Sequence, residues 1–419
     1  MRITEHDRPL PAEYEWLLGR KTGIIKRINV WYSDRASPQL LSSGIIETDT
    51  STLRNDDKSS IEAGGKGENV SAALQTAFGE TVERYCMDIP DEDRICRGAY
   101  AEMKREHEVV DFEYLDIYSD PGSIPQIEPI DTDTSIPWTA GVNLLTGDTI
   151  YVPAELVWSF KGPLKNDERH FIGTSNGAAA GRNARDAILA GLYEVIERDG
   201  FMETWLNRLS PRKILPERVP GLDDRLEAFL PTNHFEYHLF EYDTLVDVPA
   251  YGAVLVNQRD EYPKFMIGSA AGPDRSETIE EALIEAAQGW IHINKLKADR
   301  SPDSVRFGDE IWNFEDNVLL YGNPDNFAKV EFLLDGDPGA PRHEPLGEAT
   351  YSECLRRLEA AGCTPICVEI TTPETAHVGI PAVQVIVPEL IPLQVPSAIP
   401  DEHPRCEGSD IYEVPHPFP

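Results

Sequence analysis

Positive charge is what this chain has least of. Against 73 Asp and Glu stand only 38 Lys and Arg, a net charge of −35 over 419 residues. Nucleic acid and anionic membranes offer such a chain no counter-charge, which argues against both as main partners. Cysteine is scarce too, six in all. That is too few for a disulfide scaffold at this length, and buried or free thiols in a reducing cytoplasm are the simplest reading. Cys363 and Cys367 form one CTPIC pair with no second pair at zinc spacing, so a four-ligand site would need distant recruits such as Cys354 or His377. No apolar run is long enough to span a bilayer, and the opening MRITEHDRPL holds no apolar signal region. A cytoplasmic location is expected. The phosphate-loop pattern GxxxxGK[ST] is also absent, so any phosphate site must be built another way.

The acids that are present spread along the whole chain instead of gathering in a tail. Dispersed acid on a foldable chain keeps a surface hydrated where salt screens charge, and a halophilic, haloarchaeal source is the simplest reading. The apolar share of 41% is enough for a sizeable core. Short strand-like runs with polar breaks fill residues 1 to about 60. Helical and strand-like segments then alternate, among them strands at Ala250–Val256, Thr364–Glu369 and Ala382–Val387 and a helix near Tyr351–Ala361. Pro302 to Pro341 reads as loops. A single large α+β (mixed α/β) domain is expected.

Three predicted helices stand out. The first, Asn69 to Cys86, follows a Gly64-Gly65-Lys66-Gly67 turn, with Asn69 as its cap. Val70, Leu74, Phe78, Val82 and Tyr85 form its apolar stripe. Glu80, Glu83 and Arg84 share another face, with small residues Ala72, Ala73 and Thr76 upstream. The second, Asn183 to Thr204, follows a Gly-rich turn at Gly173–Gly181. Its core stripe is Ile188, Leu189, Leu192 and Ile196, and Ala187, Ala190 and Gly191 precede Glu194, Glu197 and Arg198. The third, from Thr278 with Glu281 in capping-box relation to about Lys297, carries Glu285 and Gln288 beside Ala282 and Gly289. Small residues leading to paired carboxylates leave room for a ligand or a second chain segment. Two Glu from each of two helices can hold Mg²⁺ ions that bridge phosphates, and Arg supplies flat bidentate donors. The competing reading is that Glu80/Arg84 and Glu194/Arg198 are ordinary i,i+4 pairs on solvated helices.

Together these segments resemble the YcaO superfamily. GGKGENVSAALQTAFGETVERYC carries Lys66, Thr76, Glu80, Glu83 and Arg84. TSNGAAAGRNARDAILAGLYEVIERDGFMETW carries Asp186, Glu194, Glu197 and Arg198. TIEEALIEAAQGW carries Glu285 and Gln288, and VQVIVPEL resembles a later strand. The resemblance covers residues 62 to 398, leaving 1–61 as an N-terminal extension and 399–419 as a Pro-rich tail. It implies ATP and Mg²⁺ as cofactors, with Glu80, Glu83, Glu194 and Glu197 as metal ligands. Lys66, Thr76, Arg84, Asp186, Arg198, Glu285 and Gln288 would contact the nucleotide. Arg182, Ala190 and Trp290 depart from the family pattern.

The tail PHPFP resembles that of the azoline-forming cyclodehydratases, whose end lies near the active site. That implies an ATP-dependent conversion of Cys, Ser or Thr in a ribosomal precursor peptide to thiazoline or oxazoline. His416 or the carboxylate of Pro419 would remove a proton. It also implies a separate leader-peptide-binding partner of E1-like (ThiF-like) type. A flavin dehydrogenase acting later and a homodimeric assembly are both compatible with it. The alternatives are a thioamide-forming relative using sulfide and, from another class, a serine hydrolase at the GxSxG run Gly173–Gly177, with Ser175 as nucleophile.

Overall fold

The computed structural model describes residues 12–19, 21, 23–32, 37–47, 62–67, 69–125, 127–158, 169–219, 221–222, 234–259, 261–407 and 409–418. They form three sheets and the helices packed against them.

The first sheet has the order β1-β2-β3, from β1 (Ile25–Tyr32), β2 (Leu41–Glu47) and β3 (Glu62–Gly67). The N-terminal segment thus pairs with the strand that carries Lys66. The second sheet runs β4 (Ile95–Ala99), β5 (Ser135–Asn143), β13 (Ile366–Glu369), β14 (Ala382–Ile386) and β7 (Ala178–Ala180), with β6 (Thr149–Pro153) also paired to β5. The third runs β11 (Phe265–Ala271), β10 (Ala250–Asn257), β9 (Phe235–Glu241), β8 (Arg212–Ile214) and β12 (Pro338–Gly339). The helices are α1 (Val70–Asp88), α2 (Tyr100–Glu106), α3 (Ala184–Leu206), α4 (Arg275–Asp299), α5 (Phe314–Gly322), α6 (Thr350–Ala360) and α7 (Pro373–His377). This is the expected mixed α+β architecture.

Every residue of β10 and β11 is buried. The two-residue period of a strand explains how one sheet feeds two cores. Val254, Val256, Phe265 and Ile267 join the core around α3. Ala253, Leu255, Met266 and Ala270 face the core around α4. A third core gathers Phe78, Val82 and Tyr85 of α1 with Trp138, Val152 and Ile366 of the second sheet.

The two Gly-rich runs are not turns leading into helices. Gly64–Gly67 lies within β3, and Ala178–Ala180, within the second run, is β7. The reason is packing. A Cβ on Gly65 would sit 2.1 Å from the Ala73 carbonyl oxygen, and one on Gly67 2.6 Å from the Ala73 nitrogen. A Cβ on Gly268 of β11 would sit 2.3 Å from the Ala286 nitrogen of α4, and one on Gly191 of α3 2.7 Å from the Gly177 oxygen. The small residues on these helices therefore make room for a chain segment, the strand beside each helix, pressed to backbone contact.

Three strand–helix units result: β3–α1, β7–α3 and β11–α4. Besides its own strand, α1 touches β7, α3 touches β11, and α4 returns to β3. The units close a circuit around a shared centre. The helix starts follow local chemistry: Asn69 Oδ1 accepts from the Ala72 N–H and Asn183 Oδ1 from the Asp186 N–H, both at 3.0 Å. The third helix starts earlier than expected. Asp274, not Thr278, caps it, accepting from the N–H groups of Ser276 and Glu277 at 2.9 and 3.1 Å. The 302–341 region is also more ordered than a run of loops. It holds α5 and three 3₁₀ turns, Pro302–Ser304, Pro324–Lys329 and Glu331–Leu334, and Val318, Leu319, Leu320, Val330 and Leu333 bury into the cores. Asn313 Oδ1 caps α5 by accepting from the Asp316 N–H at 2.8 Å. No helix among the described residues is long and apolar enough to cross a membrane.

Candidate functional site

Each of the three units sends a glutamate back to its own strand. The Gly64 N–H donates to Glu80 Oε2 at 3.0 Å, the Gly177 N–H to Glu194 Oε2 at 3.2 Å, and the Ser269 N–H to Glu285 Oε2 at 3.4 Å. The sequence separations are 16, 17 and 16 residues. The units thus repeat one design: an amide in or beside the strand fixes one carboxylate oxygen, and in α1 and α3 the other oxygen meets a cation. In α1 that cation is Arg84, whose Nη2 lies 2.5 Å from Glu80 Oε1. In α3 it is Arg198, whose Nη2 lies 3.3 Å from Glu194 Oε1 and whose Nη1 pairs with Glu197.

The glutamates of all three helices act on one another. Burial, then Glu194, then Glu80 push Glu83 well above the ordinary carboxylate range. Burial also raises Glu194, against Arg198 and the Gly177 amide, which favour its charge. Glu197 is pushed up to about 8 by burial, with Glu285 and Glu194 adding to it and Arg198 and Lys66 opposing. Glu281 is raised by burial and by Glu277 and Glu285, with Lys66 pulling down. Two carboxylates from each helix thus face a common centre with three cationic side chains, Lys66, Arg84 and Arg198. Burial and like charge are the first two causes of a raised carboxyl pKa, and both operate here. Such a cluster asks for more positive charge than the protein supplies.

The other expected contacts lie on the same three units. Thr76 Oγ1 donates to the Lys66 carbonyl at 3.3 Å, tying α1 to β3. The Gln288 side-chain nitrogen would be 3.5 Å from a Cβ placed on Gly64, and Glu80 Oε2 3.8 Å, so α4 and α1 meet at this strand. Asp186 stands in the first turn of α3, with Arg182 Nε 3.4 Å from its Oδ2. Trp290 turns inward instead, edge-on to Phe235 at 4.6 Å. Glu281 was missed from the sequence because the capping-box reading absorbed it. Its spacing to Glu285 is four residues, the same-face signal that marked the other helices.

The tail closes one side of the site. Phe418 is buried, and its ring centre lies 4.3 Å from the Arg198 guanidinium carbon. Trp205 Nε1 donates to the Val414 carbonyl at 2.8 Å and Asn317 Nδ2 to the Phe418 carbonyl at 2.7 Å, while the Tyr321 hydroxyl bonds the Pro415 carbonyl. The His416 ring is fully occupied: Nε2 donates to the Gln394 carbonyl at 2.8 Å, and Nδ1 accepts from the Phe418 N–H at 3.3 Å. Burial, its largest cause, lowers the His416 pKa to about 4. His416 is therefore a neutral tie between the tail and residue 394. Pro419 lies outside the described residues.

Two other candidates do not assemble. Ser175 sits on an exposed loop before the three-residue β7, and α3 begins only at Ala184. The sharp strand-to-helix elbow that activates a serine is missing. Cys363 and Cys367 are both free thiols, and among the described residues no three His, Cys, Asp or Glu side chains already converge as a metal cage.

That last observation bears on Mg²⁺ as well. Mg²⁺ keeps several waters and is shared between one or two carboxylates and substrate phosphates, so a closed protein cage is not its usual form. The residues fit such a shared ion. Glu197 is buried and Glu83 half-buried, both with raised pKa values, and Arg198 Nε is buried with no protein partner, free for a phosphate oxygen.

Comparison with known proteins follows the same line. Residues 64–391 match the model of a family described as YcaO cyclodehydratase, ATP- and Mg²⁺-binding. A Methanothermobacter thermautotrophicus protein of undescribed function is 31% identical over 335 residues, covering 78% of this chain and 80% of that one. A Rhizobium leguminosarum protein, described by its position in the tfuA 3′ region, is 26% identical over 350 residues, covering 78% and 76%. Among solved structures, a heterocyclase in complex with substrate and cofactor superposes with a TM-score of 0.77 at 19% identity. This chain matches it over 97% of its own length but spans only 56% of that heterocyclase. The Methanopyrus kandleri YcaO bound with AMPPCP and Mg²⁺ gives 0.63 at 22% identity, covering 94% and 91%. The Escherichia coli microcin synthetase McbBCD complex with pro-MccB17 bound gives 0.68 at 15% identity, covering 96% and 98%. At these identities the structural matches speak for the fold.

Proposed function

This chain belongs to the YcaO cyclodehydratase family, an ATP- and Mg²⁺-binding family, and on that premise we propose that it converts Cys, Ser or Thr residues of a ribosomal precursor peptide to azolines. The enzyme is ATP-dependent. In the proposed reaction a side-chain thiol or hydroxyl adds to the preceding backbone carbonyl. The resulting oxygen takes the γ-phosphoryl group of ATP and departs as phosphate, so one ATP becomes ADP while the peptide loses water. Turning a poor oxygen leaving group into phosphate is the physical reason to use ATP. Mg²⁺ bound among Glu80, Glu83, Glu194 and Glu197 would neutralise phosphoryl charge. Arg198 and Lys66 hold phosphate oxygens, and Glu285 keeps its strand in register with the site. Asp186, Thr76, Arg84 and Gln288 complete the nucleotide contacts.

The observation that carries the azoline reading is the seat of Phe418 on Arg198. It brings the PHPFP segment beside Arg198, the residue this reading assigns to phosphate. His416 then acts as a positioning residue, holding the tail through its two ring nitrogens. The peptide is delivered by a separate leader-binding protein. The E. coli McbBCD structure, a complex with pro-MccB17 bound, supports the idea of partner subunits. The test is mass spectrometry of a candidate precursor peptide incubated with ATP, Mg²⁺, this protein and its genomic neighbour. A loss of about 18 Da per modified residue supports azoline formation. A gain of about 16 Da, oxygen replaced by sulfur when sulfide is supplied, would replace it with thioamide formation.

A further inference from the structure

The helix α3 is gripped on a second face. Arg198 pairs with the site glutamates. The next residue, Asp199, is turned about 100° around the helix axis and is fully buried. Asp199 Oδ1 accepts from the Ile391 N–H at 2.9 Å and from Arg405 Nη1. The other arm of the same guanidinium, Arg405 Nη2, donates to Glu203 Oε2 at 2.7 Å, one turn further along α3. One planar fork therefore spans two carboxylates of the helix. Its base is fastened too. The Arg405 N–H donates to His403 Nδ1 at 3.3 Å, and His403 Nε2 donates to the Pro388 carbonyl at 3.1 Å.

Further on, the tail runs back along α3. The Tyr412 N–H donates to the Leu206 carbonyl at 2.8 Å. The Val414 carbonyl takes the Trp205 indole N–H, the His416 ring meets Phe201 edge-on at 5.6 Å, and Phe418 lies on Arg198. The partners step from 206 down to 198 as the tail advances from 412 to 418, so this arm is antiparallel to the helix. The tail thus leaves α3 at Asp199 and returns to it at Arg198, the adjacent residue.

We infer that Arg405 is a positioning residue for the reaction: by bridging Asp199 and Glu203 it sets the path of the terminal arm and so seats Phe418 on Arg198. This rests on the reading of Arg198 as a phosphate-site residue of an ATP-dependent enzyme. Stability alone does not call for such a pair, because packed apolar side chains of similar volume commonly stabilise a fold as well as a buried ion pair or better. What the guanidinium adds is direction. Both of its arms are held, whereas an ammonium is a single point charge that fixes no plane. A purely structural clasp is the rival reading.

The test uses the whole protein carrying Arg405→Lys, which keeps a positive charge beside the buried Asp199 and loses the fork. ATP hydrolysis is measured with the candidate precursor peptide and the genomic neighbour. Its kcat is expected to fall by about five- to thirtyfold, the range a desolvated cation–π contact spans. Affinity for a non-hydrolysable ATP analogue with Mg²⁺ is expected to stay within twofold. Adding Arg405→Lys to Phe418→Ala is expected to cost nothing further, because two changes that act through one contact are not additive. Hydrogen exchange at the Phe418 amide, which donates to His416 Nδ1, is expected to quicken by about tenfold, while the Val254 amide in the buried β10 keeps its protection. Glu203→Ala removes the outer half of the clasp and leaves Asp199 paired; it serves if Arg405→Lys misfolds, with the same outcomes expected. Unchanged kcat, a loss of analogue affinity as large as the loss of rate, multiplied losses in the double variant, or unchanged exchange at Phe418 would each overturn the inference. If the unaltered protein hydrolyses no ATP, the ATP reading falls instead, and the exchange comparison decides the clasp alone.

Discussion

The same five letters, Glu-x-x-Glu-Arg, occur on α1 and α3 and come to rest in different surroundings. On α1 the Arg84 side chain is 41% exposed and pairs with Glu80. On α3 the Arg198 side chain is 15% exposed, pairs with both Glu194 and Glu197, and carries Phe418 on its face. Both glutamates take a backbone amide in or beside the strand, so the difference lies in what covers the arginine. Screening by water weakens a charge at the surface, whereas a covered guanidinium acts through a lower dielectric. The motif marks two positions in a ring, and only the chain packed around them decides which one is electrostatically strong.

That asymmetry should appear first in activity. Arg198→Ala is expected to lower the rate of peptide-stimulated ATP hydrolysis by about 10³-fold, the range seen when a buried transition-state donor is removed. Arg84→Ala should cost on the order of tenfold. Equal losses would break the comparison. Glycine packing comes next. Gly65→Ala or Gly268→Ala pushes a methyl into helix backbone and should destabilise by about 1–3 kcal/mol, read as a lower urea midpoint. Gly221→Ala is not a control, because its φ of 75° is itself strained for Ala; Gly79→Ala, with open space around its Cβ position, is. The tail cover should matter less. Phe418→Ala removes a cation–π contact worth about 0.5–2 kcal/mol, so turnover should fall by at most about thirtyfold, and the Arg198 and Arg84 variants should then differ less.

The smallest effect is in pH. His416 titrates near 4 when docked, against about 6.5 when free. The detached ring therefore binds a proton below about 6.5 and the docked ring does not until about 4. The stabilising contribution of docking is complete above pH 6.5 and declines as pH falls toward 4. Hydrogen exchange at the Phe418 amide, which donates to His416 Nδ1, should lose protection over that window after correction for intrinsic rates. Asp199, buried beneath Arg405 with its pKa raised to about 6, works in the opposite direction between about 4 and 6. The local readout at Phe418 isolates the histidine.

Much of this site was legible in the chain. The three helices, the Asn69 cap, the α3 start at Asn183 and the strands around Ala250 and Ala382 follow from periodicity and cap chemistry, both local. What was not legible depends on contacts between distant segments. Gly64–Gly67 reads as a turn because glycine has two uses, and only the approach of Ala73 and Ala77 shows which applies. Glu281 was assigned to a cap because Thr278 stands three residues before it, while Asp274 made a better one. The repeat of strand amide to glutamate, 16 or 17 residues apart, was present in the numbering but has no shared side chains to reveal it. The tail's Pro-rich composition does not reveal its docking, which depends on Trp205, Asn317 and Tyr321 binding its carbonyls.

The central claim is that six glutamates, Glu197 the most buried, and three cations form a site completed by Mg²⁺ and phosphate. Calorimetric titration of a non-hydrolysable ATP analogue into the protein, with and without Mg²⁺, tests it most directly. The claim predicts binding that requires Mg²⁺, because triphosphate alone would meet uncompensated carboxylates, and that falls by at least a hundredfold in the Glu194→Gln, Glu197→Gln double variant. Equal affinity without Mg²⁺, or an unchanged affinity in that variant, would contradict it.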